Sequence, residues 1–216
     1  QHIRRKGEDI TENSVIFKAG QRLGPQHLAM LASIGVGTVP VYQSLKVGVF
    51  FTGDELTEPG QPLAPGAIYN SNRYAINALL KQLGCTVLDY GIIRDSAEAT
   101  RDALARAASE NDLIITCGGV SVGEEDHVKA AVLSQGSLDL WQISMKPGKP
   151  LAYGKIGQAD FIGLPGNPVA VMVTFAAFVR PALRQLMGWK APALPLLKAR
   201  SQQALRKKPG RTEYQR

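Results

Sequence analysis

The fold of this chain is decided by one stretch of sequence, Leu113-Ile114-Ile115-Thr116-Cys117-Gly118-Gly119, in which an apolar segment runs into a glycine-rich loop. The apolar part, Leu113–Thr116, has no polar alternation and is typical of a strand buried on both faces of a sheet. The loop continues to Asp126 and holds three glycines. Because glycine has no Cβ, several backbone N–H groups can approach an anion together there. We therefore expect the loop Thr116–Asp126 to bind a phosphate-bearing ligand.

The same pattern of buried strands and intervening helices extends on both sides of this loop. Strands are predicted at 47–52 and 86–93, with shorter candidates at 140–145, 151–153 and 161–163. Helices are predicted at 73–83, 96–109 and 127–133, and after Asn167, with a kink at Pro181. Buried strands that alternate with helices indicate a mostly parallel sheet with helices on both faces. We predict a three-layer α/β fold with partial β-rich segments at both ends.

Changes in composition divide the chain into three parts. Residues 44–189 form the predicted α/β domain. Residues 1–43 are expected to be the tail end of a preceding β-rich domain, with a strand at Val15–Phe17 and a short helix at Gln26–Ile34. Residues 190–216 are expected to be a linker and the start of a C-terminal β domain. The chain begins without an initiator Met, so we expect it to be the middle of a longer protein.

The charge and cysteine content favour a cytoplasmic protein that binds neither nucleic acid nor a membrane. The formal net charge is +7, but residues 198–216 hold seven basic residues and one acidic residue, so the excess lies in one terminal segment. No run of about 18 apolar residues predicts a membrane span. The two cysteines show neither metal-ligand spacing nor a disulfide framework, which fits a reducing compartment.

Carboxylates follow three of the predicted strands. Glu55 lies in Thr52-Gly53-Asp54-Glu55, Asp95 ends Gly91-Ile92-Ile93-Arg94-Asp95, and Asp126 closes the glycine-rich loop. Each has two readings: a turn or helix cap, or a group that faces a ligand at the strand ends. Beside a phosphate, a carboxylate usually acts through Mg²⁺.

Two further loops offer groups that suit an anion. Lys146-Pro147-Gly148-Lys149-Pro150 holds two lysines in a stiff segment, which favours polyanion binding unless it is a solvated turn. Leu164-Pro165-Gly166-Asn167-Pro168 contains a helix N-cap, Asn167, and is either only a helix start or a source of free N–H groups.

These motifs, taken in order along the chain, resemble the molybdopterin molybdenumtransferases, the molybdenum-insertion enzymes related to the E domain of gephyrin. Any one motif is weak, but the ordered set is specific and spans nearly the whole chain. The segments that carry the resemblance are Arg4–Ile10, Thr52–Leu56, Ile68–Arg73, Gly91–Asp95, Gly118–Gly123, Lys146–Pro150, Leu164–Pro168 and Pro209–Arg211. Related adenylyltransferases have a Gly-Gly-Thr-Gly loop, whereas Val120-Ser121 follows Gly119 here.

The resemblance implies an enzyme that takes adenylylated molybdopterin and molybdate and releases molybdenum cofactor and AMP, with Mg²⁺ as cofactor. At matching positions, Glu55, Asp95 and Asp126 look like catalytic carboxylates and metal ligands, and Lys146 and Lys149 look like catalytic cations. The remaining positions implied to bind substrate are Asp9, Thr52, Gly53, Asn72, Gly118, Gly119, Ser121, Gly123, Pro150, Pro165, Gly166, Asn167 and Arg216.

The resemblance also implies how the full-length protein assembles, and it shows where this sequence departs from the family's pattern. The family implies a homodimer of the full-length protein, with further domains before Gln1 and after Arg216. Gln142 stands where some relatives have lysine, so one cation of the cluster is expected to be missing. Two other functions stay open: a molybdopterin adenylyltransferase, and a non-catalytic molybdopterin-binding scaffold.

Overall fold

The computed structural model describes residues 3–120, 127–190, 197–204 and 209–214. The central element is a six-stranded sheet with the strand order β4-β1-β5-β9-β8-β6. Its strands are β1 (Lys46–Thr52), β4 (Thr86–Ile93), β5 (Leu113–Cys117), β6 (Gly136–Leu140), β8 (Ala152–Ile156) and β9 (Ala159–Leu164). Strands β4, β1, β5 and β9 are parallel, whereas β8 is antiparallel to both β9 and β6. The prediction of a mostly parallel sheet is confirmed.

Helices pack on both faces of this sheet. They are α2 (Ser71–Leu83), α3 (Ala97–Glu110), α4 (His127–Gln135), α5 (Pro168–Thr174) and α6 (Arg180–Leu186). Helices α3 and α4 bury Leu104 and Val132 against Phe50, Ile114 and Phe161 of the sheet. Helix α2 contacts β1, β4 and α5 and buries Ile76 and Leu80. It ends at Gly84, the predicted C-cap, whose φ of 88° lies in the left-handed region.

The two remaining short sheets bring outlying segments beside the domain core. Strands β2 (Leu56–Thr57) and β3 (Ile68–Tyr69) pair in parallel, and β7 (Met145–Lys146) pairs in parallel with β10 (Thr212–Glu213). The predicted strand at 140–145 is wrong, because the chain forms β6 before it and β7 at its end. Strand β6 is an edge strand with mostly exposed residues, so it has no apolar run to reveal it.

The N-terminal part of the chain contains one helix, α1 (Pro25–Ser33), close to the predicted position. The predicted strand at Val15–Phe17 is wrong: residues 3–43 contain no strand. Val15 is 76% exposed, and none of the described residues pairs with this segment. By internal contacts, Gln1–Tyr42 and Arg184–Lys198 form one compact unit, and Gln43–Leu183 and Ala199–Arg216 form a second. The range 190–216 is thereby divided between the two units.

The stretch Pro168–Leu186 is helical throughout but changes its hydrogen bonding before Pro181. Residues Phe175–Val179 form a π-helical turn between α5 and α6. Proline has no N–H, and its ring crowds the carbonyl one turn earlier, so the wider turn accommodates it where a kink was expected. This stretch is long and apolar enough to cross a membrane by composition alone. Its apolar content is accounted for in part by Val171, Phe175, Val179 and Leu183, which are buried in the protein.

Candidate functional site

The carboxyl ends of β1, β4, β5 and β9 open into one cavity of about 560 Å³. Ligand sites of α/β proteins form at this edge of a sheet, because the loops after parallel strands gather there. The volume is within the range of small-molecule sites. The cavity is lined by Thr52, Gly53, Glu55, Asp95, Gly118, Gly119, Val120, Met145, Lys146, Pro147, Gly148, Lys149, Pro150, Pro165, Gly166, Asn167, Ala170 and Arg211.

The wall at the end of β5 is backbone that approaches its neighbour too closely for a side chain. Gly118 has a φ of 97°, and its N–H donates to the carbonyl oxygen of Leu164 at 3.2 Å. A Cβ at Gly118 would collide with the carbonyl oxygen of Thr52. Thr52 is only 3% exposed, and its Oγ1 has no hydrogen-bond partner within the part of the chain that the structure describes. This wall therefore offers glycine backbone to the cavity, and the Thr52 hydroxyl lies buried behind it.

The buried Cys117 and the half-buried Asn72 join the ends of β5 and β9. The Sγ of Cys117 donates to the carbonyl oxygen of Pro165 at 3.0 Å. Asn72 donates from Nδ2 to the carbonyl oxygen of Gly166 at 2.7 Å and to the Sγ of Cys117 at 3.2 Å. Burial raises the pKa of Cys117 to about 12, although the Asn72 hydrogen bond opposes this rise. Asn72, which was expected to bind substrate, is not among the lining residues, and its role stays a prediction.

The carboxylates of Glu55 and Asp95 lie on the cavity, as the second of the two readings expected. Glu55 belongs to a turn closed by the Leu56 N–H on the Gly53 carbonyl oxygen at 3.0 Å, so the segment is both a turn and part of the site. Asp95 is not the cap of α3, because Ser96 Oγ accepts from the Ala99 N–H. Two carboxylates suit Mg²⁺, which prefers oxygen ligands and often takes others from substrate phosphates. Within the described ranges no group of three metal-ligating side chains occurs.

The lysine loop is held against α5 by its glycine. Gly148 is buried with a φ of 104°, and a Cβ there would lie 2.5 Å from Thr174 Cγ2 and 2.8 Å from Met145 Cε. The Ile143 N–H donates to the Lys149 carbonyl oxygen at 3.0 Å and closes the loop. Lys146 and Lys149 consequently stand exposed on the cavity, with little freedom in the backbone that bears them.

The start of α5 is fully capped by its own residues. Asn167 Oδ1 accepts from the N–H groups of Val169 at 3.0 Å and Ala170 at 3.2 Å. The Val171 N–H bonds to the Asn167 carbonyl oxygen, and Pro168 has no N–H. The expectation of free N–H groups at this helix start is therefore wrong, because the cap takes them. Asn167 still lines the cavity, so its side-chain amide is the group available to a ligand.

Sequence reasoning missed one cation of this site, Arg211. Its segment, Pro209-Gly210-Arg211, was noted as part of the resemblance but was given no role. Arg211 reaches the cavity because β10 pairs with β7, and the register joins Thr212 to Met145 and Glu213 to Lys146. The other lining residues that were not predicted are Val120, Met145, Pro147, Gly148 and Ala170.

Several predicted residues cannot be placed at the cavity. Asp126, Ser121, Gly123 and Arg216 lie outside the described residues. Asp9 belongs to the N-terminal compact unit, where it accepts a hydrogen bond from Arg4 at 2.6 Å. Gln142 is half-buried and is not among the lining residues.

The fold and the cavity define a class: an α/β domain with a cavity at the carboxyl edge of a parallel sheet, lined by lysines, an arginine and carboxylates. The probable molybdopterin binding domain matches residues 48–185, and the MoeA N-terminal region (domain I and II) matches residues 1–35. Since the first match covers more than half of the chain, the chain belongs to the molybdopterin binding domain family. The predicted resemblance to molybdopterin molybdenumtransferases is also confirmed, because curated proteins of that name are similar to the chain over its whole length.

The molybdopterin molybdenumtransferase of Haemophilus influenzae is 46% identical over 219 residues, which are 100% of this chain and 54% of that protein. Molybdopterin molybdenumtransferase 2 of Mycobacterium tuberculosis is 35% identical over 222 residues, 100% of this chain and 55% of that protein. The chain thus spans about half the length of these relatives. A crystal structure of a molybdopterin biosynthesis MoeA protein from Pyrococcus horikoshii superposes with a TM-score of 0.77 at 31% identity, covering 86% of this chain and 46% of that one.

Proposed function

We propose that the protein containing this chain inserts molybdenum from molybdate into adenylylated molybdopterin and releases molybdenum cofactor and AMP. The observation that carries the proposal is the convergence of three cations, two carboxylates and a close-packed glycine wall on one cavity. A phosphate-bearing substrate and a molybdate oxyanion both need such cations. The membership of the molybdopterin binding domain family supports the pterin as the substrate's core.

The cations bind and orient the anionic groups in this proposal. Lys146 and Lys149 neutralise charge on the phosphate and on molybdate, and their constrained loop limits the entropy lost on binding. Positive groups that are already in position also stabilise charge that develops on oxygen as the phosphate bond breaks. The backbone of Gly119 lies on the same wall and would hold a phosphate oxygen beside it.

Glu55 and Asp95 are the described residues that would hold Mg²⁺. The ion, when bound, supplies Lewis-acid stabilisation of phosphate oxygen charge. The same two carboxylates would orient the attacking water or molybdate oxygen. Asp126 remains a predicted third carboxylate and catalytic residue, and homodimer formation, a cytoplasmic location and the absence of nucleic-acid or membrane partners also remain predictions.

The test is a measurement of AMP release from adenylylated molybdopterin by the full-length protein, with and without molybdate and Mg²⁺. We expect release that needs Mg²⁺ and rises with molybdate. Lys149→Ala should lower it by about tenfold or more, because a charge-assisted hydrogen bond is lost. Lys155→Ala is the matched control, since Lys155 is paired with Asp160 at 3.3 Å and does not line the cavity. ATP-dependent adenylylation of molybdopterin without AMP release would instead favour the adenylyltransferase function, and binding without either activity would favour the scaffold.

A further inference from the structure

The C-terminal segment Pro209–Tyr214 is attached to the strand that bears Lys146. The Thr212 N–H donates to the Ser144 carbonyl oxygen at 3.0 Å, and the Tyr214 N–H donates to the Lys146 carbonyl oxygen at 2.9 Å. The Ser144 hydroxyl donates to the Gly210 carbonyl oxygen at 2.6 Å, one residue before Arg211. These three hydrogen bonds bracket Arg211 and fix the position of its backbone.

A side-chain contact also connects this segment to Lys146. Glu213 Oε1 lies 3.9 Å from Lys146 Nζ, so Glu213 faces the side of the pairing on which Lys146 stands. Arg211 lies at a bend just before this pairing, and both Arg211 and Lys146 line the cavity.

Arg211 is an exposed arginine that has neither a hydrogen bond nor an ion pair with any residue the structure describes. The other charged side chains of the described cavity are Lys146, Lys149, Glu55 and Asp95, two cations and two carboxylates. Glu213 beside Lys146 adds a further carboxylate, so Arg211 supplies a third cation where carboxylates already match the two lysines.

We propose that Arg211 is an oxyanion-binding residue of this site, delivered from the C-terminal segment by the pairing of β10 with β7. Its planar guanidinium presents several N–H donors in a fixed fork that matches two oxygens of a tetrahedral anion, whereas the two lysines act as point charges. The ligand chemistry is a tetrahedral oxyanion, which the proposed function supplies from two sources, molybdate and the phosphate of the adenylate. The inference rests on that proposed function.

The test is calorimetric binding of two probes, sodium molybdate and AMP, each to the full-length protein in its wild-type form and as Arg211→Ala, Arg211→Lys and Arg200→Ala. Arg200 is the matched control: it is an exposed arginine of the same C-terminal region and lies off the cavity. We expect Arg211→Ala to weaken binding of at least one probe by about tenfold or more. Arg211→Lys should recover only part of that loss, since it restores the charge without the fork. The probe that is affected identifies which oxyanion Arg211 holds.

The outcomes separate this inference from the proposed function. If the wild-type protein binds both probes and Arg211→Ala binds them equally well, the inference is overturned while the proposed function stands. If Arg211→Lys binds both probes as tightly as the wild type, the paired N–H donors of the guanidinium are not needed, and the proposed two-oxygen contact of Arg211 is overturned. If the wild type binds neither probe at millimolar concentration, the proposed function itself fails.

Discussion

The thiol of Cys117 and the carbonyl oxygen of Pro165 lie 3.0 Å apart and join the ends of β5 and β9, two neighbouring strands whose loops both line the cavity. The thiol is the donor, so this contact exists only while the thiol is protonated. Burial keeps it so by raising the pKa of Cys117 to about 12. The wall of the site is thus held by a group that must not ionise.

This contact predicts a loss of stability in alkaline solution. The unfolded thiol ionises above its ordinary pKa of 9.0, whereas the folded one stays neutral to about 12. The contribution is complete below pH 9 and declines as the pH rises toward 12, by about 1.4 kcal/mol per pH unit for this group. Urea unfolding of the wild type and of Cys117→Ala at pH 8 and pH 10.5 measures it. The difference in the free energy of unfolding should shrink at the higher pH, and a constant difference would contradict the account.

A second prediction concerns the glycine wall. Gly118→Ala places a Cβ against the Thr52 carbonyl oxygen at a φ that alanine rarely adopts, which should cost about 1–3 kcal/mol and displace the end of β5. Gly166→Ala is the control in the same cavity, because a Cβ there meets no atom within 4 Å. Its stability should change by less than about 1 kcal/mol. Thermal unfolding of the two variants measures both losses of stability. Equal losses would contradict the close approach of Gly118 to the Thr52 carbonyl oxygen.

A third prediction separates the two roles of Asn167. Asn167→Ala removes the acceptor for Val169 and Ala170 and should cost about 1 kcal/mol of stability. Asn167→Asp keeps an acceptor oxygen for the cap but replaces the amide donor by a negative charge at the cavity. It should therefore fold with nearly wild-type stability and bind AMP at least about tenfold more weakly. Wild-type affinity in Asn167→Asp would mean that this side chain does not face the ligand.

A fourth prediction tests the carboxylates as Mg²⁺ ligands. Mn²⁺ can stand in for Mg²⁺ in an electron paramagnetic resonance titration with AMP present. Glu55→Gln and Asp95→Asn should each weaken Mn²⁺ binding by about tenfold, since each removes a charged oxygen ligand. Asp102→Asn, an exposed carboxylate on α3, is the control and should bind Mn²⁺ as the wild type does. Unchanged binding in both cavity variants would remove these residues from the metal site.

The parts of the fold that the sequence predicted are those in which burial leaves a pattern. Strands β1 and β5 are continuous apolar segments because helices cover both faces of the sheet, and Gly84 marked the end of α2. Strand β6 escaped because an edge strand exposes most of its residues and includes Gly136 and Asp139. The segment Val15–Phe17 resembled a strand in composition, but a strand also needs a pairing partner, which no local pattern specifies.

The site was predictable to the extent that its residues directly follow strands. Glu55, Asp95, Gly118 and Asn167 were expected to gather because parallel strands end at one edge, and all four line the cavity. Arg211 was missed because it arrives through a pairing between segments 66 residues apart. The substrate-binding role of Asn72 stays a prediction; its Nδ2 donates to Gly166 and Cys117, partners that only the fold supplies.

The central claim is that the cavity at the carboxyl edge of the sheet is the oxyanion site, and an NMR titration of the ¹⁵N-labelled protein with AMP and then molybdate tests it most directly. The account predicts saturable shifts that are largest for the backbone amides of Gly118, Gly119, Gly148, Lys149 and Gly166. Saturable shifts that cluster on other parts of the chain and leave these five amides unmoved would contradict it.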